Sequence, residues 1–227
     1  MTPLYKLYSD LNATLNISLQ EVELNKNNSL NNCLWHNKIF FSPSIRYGHL
    51  EYFKGSNEKI EVVHCVLYPS FYKSLPIFGF DVISLNNNIT GIFCDYTPCP
   101  FHNENLLEEL RKTKSDLITY QRNLPAWATF FSPDFIAVDP KNEYEKIESA
   151  CKDLLYKYLY ICELSDFSDT FLLAGDVESH IEGQNNYSLN QRKNTKTQKA
   201  LTNYIGEKEA NSFIENVLFP TFRNKIS

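Results

Sequence analysis

Two polar side chains stand inside runs of residues that are otherwise suited to burial. His64 lies in Lys59–Tyr68, where Ile60, Val62, His64, Val66 and Tyr68 share one face and Val63, Cys65 and Leu67 the other. Asp81 lies in Ile77–Leu85, among Ile77, Phe78, Phe80, Val82 and Ile83. A carboxylate in such a run costs free energy unless it is paired, protonated or part of a site. Each residue alone has a plain structural reading: Asp81 on the solvent face of a half-exposed sheet, His64 as a hydrogen-bonded core histidine. The pair says more. Pro69–Pro76 reads as a loop, and antiparallel pairing of the two strands through it would let the side chains approach across the sheet. A His–Asp couple in an aromatic pocket holds and delivers protons near neutral pH. Glu51, on a further strand at Ser44–Phe53 that also carries Tyr47, His49 and Phe53 on one face, is a third titratable group. No nucleophile constellation and no G-x-G-x-x-G loop accompanies them, so a bound nucleotide is not indicated.

These groups need a sheet beneath them. Lys59–Tyr68, Ile77–Leu85 and Ile89–Tyr96 read as strands, with a turn at Asn86–Asn88. Asn-rich patches at Asn25–Asn32 and Gln184–Asn190 also read as turns or loops, because Asn tolerates positive φ. Helical spacing predicts helices over Asn103–Arg122, stopping before Pro125, and over Tyr144–Leu164. Two final helices are expected at Lys196–Ile205 and Glu207–Leu218, separated at Gly206. Strands in the middle with helices around them predict one α+β layered domain.

Composition bounds the function. The chain has 227 residues, 43% of them hydrophobic and 14% aromatic, with a net charge of -5. That supports a dense core or a pocket for a large flat ligand, and it argues against a nucleic-acid binder. The start of the chain has no apolar run of a secretory signal, and no stretch is long enough to span a bilayer. The six cysteines, Cys33, Cys65, Cys94, Cys99, Cys151 and Cys162, form no C-x-x-C pair. Free thiols in a reducing cytoplasm and no metal of the protein's own are therefore expected.

The same residues carry a family resemblance. RYGHLE at Arg46–Glu51, EVVHCVLYP at Glu61–Pro69 and LPIFGFDVI at Leu75–Ile83 resemble the core of the ferredoxin-dependent bilin reductases. LPAWATFFS at Leu124–Ser132, QRKNTKTQKAL at Gln191–Leu201 and NVLFPTF at Asn216–Phe222 follow in the order that family shows. The likeness runs from about Trp35 to Phe222. It implies a single-domain α/β/α sandwich spanning residues 1–227, with a central antiparallel sheet flanked by helices. Biliverdin IXα would lie between the sheet and the C-terminal helices and be reduced through radical intermediates by single electrons from reduced ferredoxin. No cofactor is implied, and the protein is expected to act as a cytoplasmic monomer. Carried over by motif, Asp81, His64 and Glu51 would supply protons, and Lys196, Asn194 and Thr195 would meet the substrate. Arg192, Lys193 and Lys199 would form a basic face for the acidic ferredoxin.

Two positions depart from the family pattern. Relatives follow the motif Asn with an Asp that faces the bilin, whereas Asn194 is followed by Thr195. A propionate-binding Arg is expected near FSPDFIAVDP, where Val138 and Asp139 stand instead. The resemblance favours phycocyanobilin as product through Glu51, with phycoerythrobilin as the alternative. From other classes, a bilin carrier without turnover and an interaction protein whose aromatics only fill its core remain open.

Overall fold

Seven strands run as one antiparallel meander in the order β1-β2-β3-β4-β5-β6-β7. In this computed structural model, residues 1–22, 33–56, 59–100, 103–124, 128–166 and 174–222 are described. The strands are β1 (Gln20–Val22), β2 (Leu34–Phe41), β3 (Ile45–Lys54), β4 (Ile60–Pro69), β5 (Ile77–Leu85), β6 (Asn88–Thr97) and β7 (Ile136–Val138). The β5–β6 hairpin turns at Asn86 and Asn87, both at positive φ (51° and 61°), as a tight two-residue turn requires. The Asn25–Asn32 patch lies outside the described residues.

Helices cover both faces, which gives the expected α/β/α sandwich. On one face lie α1 (Pro3–Ser18), α2 (Glu104–Asp116) and α3 (Tyr144–Asp166). Side chains alternate across a strand, so Leu50, Val63, Cys65, Leu67, Phe78, Phe80, Val82 and Cys94 all point to this side. They form one apolar core with Leu4, Leu7, Leu11 and Leu15 of α1 and with Cys151, Leu154, Leu155 and Tyr158 of α3. All six cysteines are free thiols. The other face is covered by α4 (Ala174–Gln191), α5 (Thr195–Ile205) and α6 (Glu207–Phe213), the last running into a wider π-turn at Ile214–Leu218. Gly206, at φ 82°, makes the break between α5 and α6 that its position in the sequence suggests. Among the described residues, no helix is long and apolar enough to cross a membrane.

Several elements differ from expectation. Gln184–Asn190 is not a loop but part of α4. Its buried side chains, His180, Gln184, Tyr187, Ser188 and Gln191, recur at helical spacing but are almost all polar, so apolar periodicity could not reveal them. They are satisfied by hydrogen bonds instead: Gln184 donates to the Pro69 carbonyl, and Ser188 to the Pro220 carbonyl. Helix α1 lies where none was expected, although Thr2 caps it and Pro3 opens it. The expected helix over Asn103–Arg122 ends at Asp116. A 3-10 turn at Ile118–Tyr120 follows, and the chain then joins the sheet, where Gln121 bridges Val138 and the Arg122 amide donates to the Ala137 carbonyl at 2.9 Å.

Candidate active site

Register decides where the titratable groups meet. Glu51 of β3 pairs with His64 of β4, and His64 pairs with Asp81 of β5. Direct partners across a sheet point to the same face, so the three form one row on the α4–α6 side. His64 Nδ1 and Asp81 Oδ1 are 2.6 Å apart. Since the carboxylate accepts, Nδ1 carries the proton, and the buried Nε2 has no hydrogen-bond partner among the described residues. Burial works against a charge on His64, but Asp81 and Glu51 outweigh it and raise the imidazole above its ordinary range.

Glu51 is buried and its acidity is weakened. Burial pushes the carboxyl up to about 7, against the pull of His64 and of a hydrogen bond from Trp35. The Trp35 indole N–H donates to Oε1 at 2.6 Å. One oxygen is therefore engaged by a donor, so the proton of the acid form is carried by Oε2. Trp35 belongs to β2 and packs edge-on against Phe213 of α6, their centroids 4.6 Å apart. His49, two residues before Glu51, is fully buried, and its Nε2 donates to Asn37 Oδ1 at 2.9 Å. Burial and the neighbouring His64, 5.6 Å away between ring centroids, hold His49 well below its usual range, so it stays neutral beside a charged partner.

The two ends of the row differ in exposure. Phe219 stands edge-on to the His64 ring at 5.8 Å over the middle of the row, and Glu51 at the far end is buried. The Asp81 side chain is 37% exposed. Its neighbours on the same face, Val62, Gly79, Ile83 and Phe93, are only half-buried, whereas the residues between them on the opposite face are sealed. The result is an open apolar strip with one carboxylate in its floor. At the strip's inner end Tyr187 of α4 lies over Gly79, where an added Cβ would sit 3.5 Å from its hydroxyl, and Gln191 donates to that hydroxyl at 2.9 Å. Asp95, in the next row, is buried and pushed up to about 6 by burial despite accepting from Ser132 and Thr97. It ties the loop before β7 to β6. Trp35, His49, Tyr187 and Asp95 were not singled out as site residues, because an aromatic or polar residue in an alternating strand carries no mark of its cross-strand partner.

The C-terminal residues expected near the substrate lie at the start of α5. The Asn194 side chain caps α5, accepting from the Lys196 amide, and Thr195 and Lys196 are exposed. Lys193 and Lys199 are exposed too, Lys193 donating to Asn190. The Arg192 guanidinium donates to the Phe219 and Glu215 carbonyls, so it fastens the π-turn over the site. Val138 points to the apolar core, and the Asp139 carboxylate accepts from the Lys141 amide.

Known proteins resemble this chain in sequence and in fold. A curated relative, the phycocyanobilin:ferredoxin oxidoreductase of Prochlorococcus marinus (strain MIT 9515), is 29% identical over 190 residues, covering 81% of this chain and 76% of its own. A solved phytochromobilin synthase from tomato, in complex with biliverdin, superposes with a TM-score of 0.70 at 19% identity, over 93% of this chain and 82% of that one. A solved PcyX structure gives a TM-score of 0.65 at 23% identity, over 97% and 99%. These two establish the fold. The sequence profile of the ferredoxin-dependent bilin reductases matches residues 8–220, reaching into α1 and across the whole sheet. With nearly the full length matched and the sheet carrying its acids in one row, the chain belongs to the ferredoxin-dependent bilin reductase family.

Proposed function

We propose that this protein reduces biliverdin IXα with single electrons from reduced ferredoxin and directs protons to the bilin from Asp81, His64 and Glu51. The observation that carries the reading is the register-matched row Glu51–His64–Asp81, closed at one end and open at the other onto an apolar strip. An electron added to a conjugated tetrapyrrole makes it more basic, so the position of the nearest acid decides where hydrogen is fixed. Asp81, at the open strip, meets the substrate first. Asp81 passes to the bilin a proton that it takes from His64 Nδ1, so the pair acts as one unit. Glu51 is protonated up to about pH 7 and oriented by Trp35, which suits a separate donation to a vinyl-bearing ring. That assignment favours phycocyanobilin, a four-electron product.

Ferredoxin would dock on the basic surface offered by Lys193, Lys196 and Lys199, close to the helices that cover the strip. Arg192 precedes Lys193 in the chain, and its guanidinium holds the π-turn beside that surface. Anaerobic incubation with biliverdin, a ferredoxin reducing system and chromatography of the product tests the whole reading. Time-dependent loss of the biliverdin spectrum with a phycocyanobilin product is expected. A single spectral shift on mixing, with no further change on reduction, would mean a carrier without turnover. Phycoerythrobilin as the product would remove the vinyl assignment of Glu51 while leaving the reaction class.

A further inference from the structure

Tyr187 brings a polar group to the inner end of the strip, and the protein uses only half of it. Its side chain is buried. Three rings stand edge-on around it, those of Tyr68, Phe130 and Phe131, with centroids 5.9, 6.1 and 6.4 Å away. They fix where the phenol lies. Gln191, one turn further along α4, donates to the hydroxyl oxygen at 2.9 Å. That bond occupies a lone pair and leaves the hydroxyl's own proton in need of an acceptor. Among the described residues none takes it. The space beside the hydroxyl belongs to the strip. Gly79 is half-buried, and the Tyr187 hydroxyl is the only described atom within 4 Å of a Cβ built there. Asp81 follows two residues later on the same face. Burial above all, with Asp81 and Asp95 nearby, holds the phenol well above its ordinary range, so it keeps its proton. A neutral O–H at the dry end of an apolar slot suits a neutral carbonyl, because a carboxylate would have to leave its hydration behind there.

We infer that the Tyr187 hydroxyl, aimed by Gln191, donates a hydrogen bond over Gly79 to a terminal lactam carbonyl of the bilin. This rests on the bilin reading above. Biliverdin carries such a carbonyl at each end of its ring system. The bond sets how deep the tetrapyrrole enters the strip, and therefore which of its carbons lies over Asp81. Tyr187 binds in this account and gives up no proton.

The carbonyl stretching bands of bound biliverdin, read by resonance Raman spectroscopy, test the bond. In the native protein one terminal lactam band should be shifted down from its position in an aprotic solvent. Tyr187→Phe keeps every ring contact and removes only the donor. The shift should vanish in this variant, and biliverdin affinity should fall about fivefold. Gly79→Ala places a methyl group in ordinary contact with the hydroxyl, without a clash, and should abolish the shift by covering the donor. Carbonyl bands that stay put in Tyr187→Phe would overturn the inference, and a loss of affinity with the bands unmoved would mark a packing role among the rings. If the native protein binds biliverdin and reduces it with neither band shifted, the hydrogen bond alone is refuted. If it does not bind biliverdin, the bilin reading fails first and this contact with it.

Discussion

The two faces of the sheet are made from the same strands and differ in nearly everything else. Toward α1, α2 and α3 the cross-strand rows are mostly apolar and sealed, the exception being the row at the sheet's end where Glu61 is buried and accepts from Tyr52. Toward α4, α5 and α6 the rows carry Asn37, Glu51, His64, Asp81 and Asp95, and burial stops short over Asp81 and Phe93. One face holds the molecule together, and the other keeps desolvated acids and bases next to open space. Consecutive residues of one strand thus answer to different requirements, and the comparison can be broken at adjacent positions.

Phe80 and Asp81 make the sharpest test. Phe80 is fully buried on the sealed face. Phe80→Ala should cost about 3–5 kcal/mol, a large part of a typical domain's stability. Chemical denaturation would show it as a lowered midpoint with unchanged slope. Asp81→Asn should leave that midpoint nearly where it is, bind biliverdin, and slow turnover by about a hundredfold or more. Electrons still arrive in this variant, so a long-lived bilin radical should be seen by electron paramagnetic resonance. Full activity would remove Asp81 as donor. A collapse in stability as large as that of Phe80→Ala would mean that the two faces do not divide the work.

Glu51 gives an intermediate effect with a pH signature. Burial pushes its carboxyl up to about 7 in the folded chain, against an ordinary value of 4.5. A raised acid favours the folded state while protonated, so this contribution is complete below about pH 4.5 and is lost as pH rises through 7. Glu51→Gln should flatten the stability profile across that window, by up to about 3 kcal/mol at its upper end. In the reaction, the same variant should halt at a partly reduced bilin whose vinyl group is intact. Trp35→Phe removes an N–H that favours the carboxylate and should shift the alkaline limb of the rate profile upward. A Glu51→Gln variant with unaltered products and profile would make Glu51 a bystander.

How much of this the sequence revealed follows from the kind of signal each feature leaves. The strands were legible because β4 to β6 are short runs rich in β-branched and aromatic residues bounded by turn residues, and His64 and Asp81 stood out within such runs. Their meeting was legible too, since a short loop between antiparallel strands nearly sets the register. Helix α4 was hidden because His180, Gln184 and Ser188 are buried through hydrogen bonds, which leave no apolar period. Arg122 was misread as helical because Leu106, Leu110 and Leu117 set a helical rhythm that outlasts the helix itself. Backbone pairing with β7, a contact from distant sequence, ends it.

The smallest expected effect lies on the outer surface, where neither face of the sheet is involved. Lys193 and Lys199 are exposed near the helices that cover the strip. The chain carries a net charge of -5, so attraction of an acidic ferredoxin depends on a local basic area and not on the molecule as a whole. Exposed charges of this kind contribute mainly to the rate of encounter, and salt screens them over roughly 10 Å at 0.1 M. Reversing both charges, Lys193→Glu with Lys199→Glu, should therefore slow ferredoxin-driven turnover about three- to tenfold at low ionic strength. The deficit should shrink as salt is added, because the native protein loses its advantage as well. Biliverdin affinity should not change, since neither side chain reaches the strip. A small chemical reductant that needs no docking should drive both proteins equally. If the variant is equally slow with that reductant, the lysines act on the site through α5, and the surface and the slot are not separable.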